Sequence, residues 1–279
     1  MEKTDFARLM RAVDLLENPS WTSKLTDLIG IPVEWAINKL PKSAKAIIST
    51  ATTKAIRGAL KAAVYTMKPK HKGTPSKWWH RCVVSVSGGI GGFFGLMGLP
   101  IELPISTIIM LRSIADIARS EGEKITDLET QLNCIEVFAL GGKSKNDDGN
   151  ESGYYAVRAT LGKIITEATG FAAEKGIIEE GAPILIRFAA RVASRFEVVV
   201  SEKVSTEFVP VIGAASGAII NLLFINHFQS VATGHFIIRS LERKYGADKI
   251  QTEYEKIADA GTSPHVSKTE MQPVDRFDD

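Results

Sequence analysis

Between Val83 and Ile101 the chain runs nineteen residues without a charge, and six of them are glycine. The run continues as "SGGIGGFFGLMGLPIELPISTIIMLRSIADIARS" (87–120), where Glu102 stands between Pro100 and Pro104 in an otherwise apolar setting. Few structures tolerate so many glycines. A helix loses about 1 kcal/mol for each Gly relative to Ala, so the segment needs tertiary packing to be helical. Gly88, Gly91, Gly92, Gly95 and Gly98 fall at steps of three and four, which makes one stripe where another backbone can approach. Gly213 and Gly217 repeat the device. A buried, glycine-striped helical hairpin is the simplest reading.

Three competing readings are weaker. A phosphate loop needs Gly, four residues, then Gly-Lys-Ser/Thr. Gly142-Lys143-Ser144 supplies the end, but Val137 occupies the first glycine position and a helix, not a strand, precedes it. A dinucleotide fingerprint on Gly89 and Gly91 fails at Phe94, and "NDDGNES" lacks the spacing of a calcium loop. A membrane span needs roughly 20 predominantly apolar residues, and extending past Ile101 would bury Glu102 at about 2.5–3.5 kcal/mol. The second charge-free run, Phe208 to Ile238, contains Asn221, Asn226, His227, Gln229 and His235. Both runs are marginal as spans.

Helical periodicity dominates elsewhere, so the expected class is all-α, a single multi-helix domain with Gly-rich central helices. Residues 5–17 place Phe6, Leu9, Met10, Val13 and Leu16 on one face. Pro32 suits the first position of a short helix ending before Pro41. Residues 45–68 set Ile48, Ala51, Ala55, Ala59, Leu60, Ala63, Val64 and Met67 against a basic face of Lys54, Arg57, Lys61 and Lys68. Pro104 is expected to open a helix to Ser120, and Thr126–Glu129 has capping-box form for a helix to Leu140. Residues 141–152 read as a surface loop. Helices are then expected over 154–180, 183–207, 209–229, 232–245 and 248–260; within them "EVVVSEKV" (197–204) is the best strand candidate, and helix is preferred there. The divisions are an amphipathic helix and linker (1–30), a helical domain (31–260) and a disordered polar tail (261–279). "MLRSIADIARSEG" and "IIRSLERKYG" echo each other, which reads equally as a duplicated helical hairpin or as coincidence.

Charge is segregated. The chain's net charge is +2, yet residues 35–101 hold eleven Lys and Arg and no Asp or Glu, leaving −9 for the rest. With Trp78 and Trp79 beside Lys54, Arg57, Lys61 and Lys68, this suggests an anionic membrane surface or a membrane protein complex as partner. No nucleic-acid motif accompanies the charge. Cys82 and Cys134 form neither a disulfide framework nor a zinc set, so no metal or cofactor is expected. The reduced thiols and the lack of a secretory start imply a cytoplasmic protein, peripheral to the inner face of the membrane.

Glu102 is the most informative polar residue, because a buried carboxylate must be paired, hydrogen-bonded or protonated. Arg112 and Asp116 can pair or reach it, and Arg239 lies one turn past His235. A structural polar network of Glu102, Arg112, Asp116 and Arg239 is the plainer reading. The alternatives are acid–base chemistry by Glu102 with His235 or His227 and, less favoured, a metal held by the same cluster.

The segments "GGIGGFFGLMGLPIELPISTIIMLRSIADIARSEGE" (88–123), "LNCIEVFALGG" (132–142), "ESGYYAVRA" (151–159) and "HFIIRSLERKYG" (235–246) resemble the EcsC family. The resemblance runs from about residue 30 to 250. "ITDLETQ" departs from an Asp-Pro-Glu step associated with the family there, which reads as a local capping change. The family takes its name from a gene beside an ABC transporter, linked to secretion and competence. The resemblance therefore implies a cytoplasmic or membrane-peripheral role and carries over no catalytic residue; a non-enzymatic accessory protein is the preferred reading.

Overall fold

The computed structural model describes residues 1–17, 21–66, 95–142, 153–175, 181–207 and 214–262, and every regular element among them is helical. These elements are α1 (Lys3–Glu17), α2 (Trp21–Ile29), α3 (Val33–Asn38), α4 (Lys42–Thr66), α5 (Gly95–Ser120), α6 (Leu128–Leu140), α7 (Gly153–Lys175), α8 (Pro183–Glu207), α9 (Ala214–Tyr245) and α10 (Ala247–Thr262). The stretch 197–204 is helix, inside α8. Lys68, Trp78, Trp79, Cys82, Gly88, Gly91, Gly92, Gly213 and the tail from 263 lie outside the described residues.

The centre belongs to α6. Ten consecutive residues of this short helix, Thr130–Ala139, are buried, because α4, α5, α7, α8 and α9 all pack against it. A helix enclosed on every side ordinarily reads apolar throughout, yet this one carries Thr130, Gln131, Asn133 and Glu136. Beside it, Phe138 meets Phe196 of α8 at 5.1 Å and Phe228 of α9 at 5.3 Å, and Phe224 adds to the group at 5.2 Å from Phe228. Such offset aromatic pairs add to ordinary apolar burial.

Two long helices run side by side in the same direction. Gln229 of α9 donates to Ser113 Oγ of α5 at 2.8 Å, and Arg239 donates to Glu123, just past α5, at 2.8 Å. Each ends at a glycine in the left-handed region, Gly122 at φ 86° and Gly246 at φ 90°. After α5 the Glu123 N–H reaches the Ala118 carbonyl and the Gly122 N–H reaches that of Arg119, closing a Schellman motif. The α1 helix crosses α9 at Gly234, where a Cβ would lie 2.7 Å from Leu16 Cγ and 3.1 Å from the Ala12 carbonyl oxygen.

Several local expectations are corrected. Residues 21–29, read as linker, form α2 and bury Trp21, Leu25 and Ile29 at i, i+4, i+8 in the common core. On α1, Ala12 joins Leu9, Val13 and Leu16 in the core, while Phe6 and Met10 face outward at 40% and 50% exposure. Pro32 is the N-cap of α3 rather than its first residue. Pro104 does not open α5: the helix passes through both Pro100 and Pro104. The carbonyls deprived of donors are those of Leu96 and Pro100, both on partly exposed residues. Ser106 and Thr107 hydroxyls both donate to the Leu103 carbonyl just beyond.

The capping box at 126–129 does not form; Asp127 is the N-cap without a side-chain bond, and Glu129 is taken by Arg239. Helix α9 is continuous where a break was expected, because no Gly or Pro interrupts 229–232 and Val231 and Ala232 are buried. The chain leaves the helix at 141 as expected, but the surface placement of 141–152 fails at its first two residues. Gly141 and Gly142 are buried, and a Cβ on Gly142 would meet the Arg195 carbonyl oxygen at 2.6 Å. No helix among the described residues is long and apolar enough to cross a membrane.

Candidate functional site

A half-open cleft of about 520 Å³ lies beside the central helix, lined by Asn133 and Glu136 of α6, Tyr155 and Arg158 of α7, and Arg239 and Glu242 of α9. Helix periodicity assembles it. Asn133 and Glu136 are i,i+3, Tyr154 and Arg158 are i,i+4, and His235, Arg239 and Glu242 follow at i, i+4, i+7.

The cations of the cleft are paired. Arg158 makes a bidentate bridge to Glu242, each N–H to O distance 2.6 Å, and Tyr155 Oη donates to the same carboxylate at 3.4 Å. Burial works to lower the Arg158 pKa, but its interactions with Tyr154 and with the Glu242 carboxylate bring it above its ordinary value. Arg239 donates to Glu123 at 2.8 Å and to Glu129 at 3.0 Å, and Arg243 also bonds Glu123. Burial works to raise the Glu123 carboxyl, but the Arg239 bond and the charges of Arg239 and Arg243 bring it below its ordinary value.

Behind this shell the groups are unserved. Glu136 is 1% exposed and Asn133 3%, and neither carboxyl oxygen of Glu136 nor Asn133 Nδ2 has a hydrogen-bond partner. His235 is fully buried; its Nδ1 shares a hydrogen bond with Tyr154 Oη at 3.0 Å, while its Nε2 is unsatisfied, 3.8 Å from Glu136 Oε2. That contact is no ion pair. Burial pushes the Glu136 carboxyl up to about 7, against the pull of Arg158 and Arg239, and drives the His235 ring well below its usual value. Native proteins rarely leave buried polar groups unpaired, and four such atoms sit together here.

The residues picked from sequence are placed elsewhere. Glu102 accepts from Lys203 Nζ at 3.1 Å, not from Arg112 or Arg239. Asp116 is exposed and pairs with Arg119 at 2.6 Å, and Arg112 is half-buried one turn before it. The network expected from Glu102, Arg112, Asp116 and Arg239 is thus three separate contacts, because Glu102 sits a full four turns before Asp116 on an unbroken helix. His227 Nε2–H donates to the Gly141 carbonyl, 2.8 Å away, and the ring stacks on Trp21 at 5.6 Å. Burial lowers it to about 4, so neutral Nε2–H caps the end of α6 with Arg195, which donates to the Ala139 and Gly142 carbonyls. Only His235 of the acid–base candidates reaches a carboxyl, and the carboxyl is that of Glu136. Cys134 is buried and its thiol is pushed up to about 12 by burial, which leaves it unreactive.

The opposite end of the bundle is apolar outside. Lys203 lies 5.2 Å over Phe224, and Trp21 donates to Glu202 at 2.7 Å and packs 5.7 Å from Phe224. The charge of Glu34 acts on Glu202, so α3 is here too. These contacts gather the ends of α3, α5, α8 and α9, and there Trp35, Ile101, Ile219 and Leu222 are 53%, 63%, 46% and 57% exposed. On α4, which packs on α5 and α8, Lys54, Arg57 and Lys61 are exposed.

Asn133, Glu136, Tyr154, Arg158 and Glu242 were not picked out from sequence. Their signal was legible as two polar residues at i,i+3 in the otherwise apolar run "LNCIEVFAL". No curated protein and no solved structure matches the chain. The family model described as the EcsC protein family matches residues 14–241, which is most of the chain, and the protein therefore belongs to the EcsC family.

Proposed function

We propose that this EcsC-family protein is a non-enzymatic accessory protein that docks on the anionic inner face of a membrane, in the transport or secretion setting that the family name implies. The observation that carries the reading is the exposed apolar set at one end of the bundle, Trp35, Ile101, Ile219 and Leu222, drawn from three helices. Isolated surface apolar residues need no explanation, but several on helix ends that gather at one end of the bundle suit an interaction surface. Each side chain entering the lipid interface gains roughly 1 kcal/mol or more from area removed from water. Lys54, Arg57 and Lys61 on the outer face of α4 add about 1 kcal/mol each near an anionic surface. Lys39 sits 5.3 Å over the Trp35 ring, so a cation already accompanies the apolar set.

The alternative, a hydrolase or lipid-handling enzyme acting through Glu102 with a histidine, draws less support. Glu102 is engaged by Lys203, and His227 by the Gly141 carbonyl.

Vesicle flotation tests the reading. The protein should float with vesicles rich in anionic lipid and sediment with neutral ones. Reversing Lys54, Arg57 and Lys61 to Glu should abolish the difference, and Ile101→Ser with Leu222→Ser should weaken binding to the anionic vesicles. Equal partitioning into neutral and anionic vesicles, unchanged by the reversals, would sink it.

A further inference from the structure

We infer that the cleft beside α6 binds a small, uncharged, polyhydroxylated molecule of about sugar size, with adjacent hydroxyls held by Asn133 and Glu136. The site is independent of the membrane-docking reading, since it is built around the C-terminal part of α9 and the apolar set around its N-terminal part.

The argument starts from what is left over. Asn133 and Glu136 line the cleft, and Asn133 Nδ2 and both carboxyl oxygens of Glu136, almost wholly inaccessible just behind its wall, have no partner in the protein. Leaving such groups unserved costs stability, so their retention in the most enclosed helix of the bundle calls for an explanation from function. Together they offer an amide donor and a carboxyl one helical turn apart. A carboxyl held near neutrality both donates and accepts, as does a hydroxyl, so two neighbouring hydroxyls can serve both side chains.

Charge in the cleft argues against an ionic ligand. Arg158 is neutralised by Glu242, and Arg239 by Glu123 and Glu129. A ligand anion would meet Glu129, Glu136 and Glu242, and a cation would meet Arg158 and Arg239. Each would have to break a bridge already made. The rest of the lining suits the carbon skeleton and outer hydroxyls of a polyol: Ala159, Gly162 and Ile165 form an apolar wall, and Thr166, Thr169 and Gln251 bring hydroxyl and amide groups. The volume of about 520 Å³ accommodates a ligand of one or two sugar rings.

The test uses the full chain and a set of probes that share one skeleton: D-glucose, its cationic counterpart D-glucosamine and its anionic counterpart D-glucuronate, with acetamide as a non-polyol control. Ligand-observed NMR and calorimetry at pH 6 read binding. Glucose should bind saturably with millimolar affinity, and both charged counterparts should bind at least about tenfold more weakly, as should acetamide. Asn133→Leu and Glu136→Leu should each weaken glucose binding about tenfold or more. Glu136→Gln keeps a donor and an acceptor in the same volume, and should bind like the unsubstituted protein. Since Gln cannot ionise there, that variant is expected to fold at least as well, which separates loss of binding from loss of fold. No saturable glucose binding would overturn the inference, as would charged probes or acetamide binding as tightly as glucose, or unchanged affinity in Glu136→Leu.

Discussion

Two carboxyls toward opposite ends of the bundle are both pushed up to about 7 by burial, and the protein treats them differently. Glu202 receives the Trp21 indole N–H at 2.7 Å, in a half-buried setting under an apolar exterior. Glu136 is enclosed more completely, among tyrosines and arginines, and neither of its oxygens is served. Phe224 marks the first end on α9 and His235 the second, eleven residues apart, or about 16 Å along the helix. One end spends its polar groups internally and shows apolar side chains to the outside. The other pairs its charges around a cleft and holds unpaired polar atoms behind them. The difference is that between a surface that works by area and a site that works by directed hydrogen bonds.

The ion pairs of the two ends give the largest test. Glu242→Ala strands Arg158, which cannot shed its charge, and should cost about 4 kcal/mol in chemical denaturation. Glu102→Ala removes one partner of Lys203, which is 2% exposed and keeps its place over the Phe224 ring. Its cost should be smaller, about 2–3 kcal/mol. A larger loss for Glu102→Ala than for Glu242→Ala would break the comparison.

Next come the carboxyls themselves. The folded-state value of Glu136 lies above its ordinary 4.5, so the folded protein holds a proton that the unfolded chain releases. Stability from this group is therefore greatest below about 4.5, falls as pH rises, and levels off above about 7. Glu136→Gln removes the penalty. Thermal unfolding should show a gain on the order of 3 kcal/mol at pH 8 that vanishes near pH 4. Glu202→Gln should gain less, because Trp21 already serves the charged form. Equal gains would mean that the two carboxyls are equivalent.

The smallest effects sharpen the contrast at the surface. Asp5 ties α1 to the end of α9 through Lys244 at 2.7 Å and Tyr245 at 2.8 Å, and these bonds hold its carboxyl down at about 2. Its contribution is present above its ordinary value near 4 and is lost as pH falls toward 2, so Asp5→Asn should flatten the acid limb of the stability profile. Leu222→Ser, at the apolar end, should change stability by no more than about 0.5 kcal/mol while weakening vesicle binding.

Much of the fold was legible in the residues because it is local. The face of α4 from Ile48 to Val64 is buried as its spacing implied. So is the expected stop of α5 at Gly122, where a left-handed residue ends the helix. Failures came where local rules met long-range packing. Prolines mark breaks in isolation, but α5 continues through Pro100 and Pro104 with its deprived carbonyls partly exposed. Glu129 looks like a capping residue until Arg239, far away in the chain, claims it. Glu102 could be singled out as a buried acid needing a partner, but not that the partner would be Lys203, 101 residues on.

By itself the sequence determined the helical class, most helix spans, the segregation of basic residues and the family, because each depends on short-range periodicity, composition or local motif. Which acid meets which base, which helix occupies the centre, and that Asn133 and Glu136 face a cleft with no partner were decided only by the tertiary structure. Those facts depend on helices from distant parts of the chain meeting in register, and no spacing within one helix encodes what packs against it.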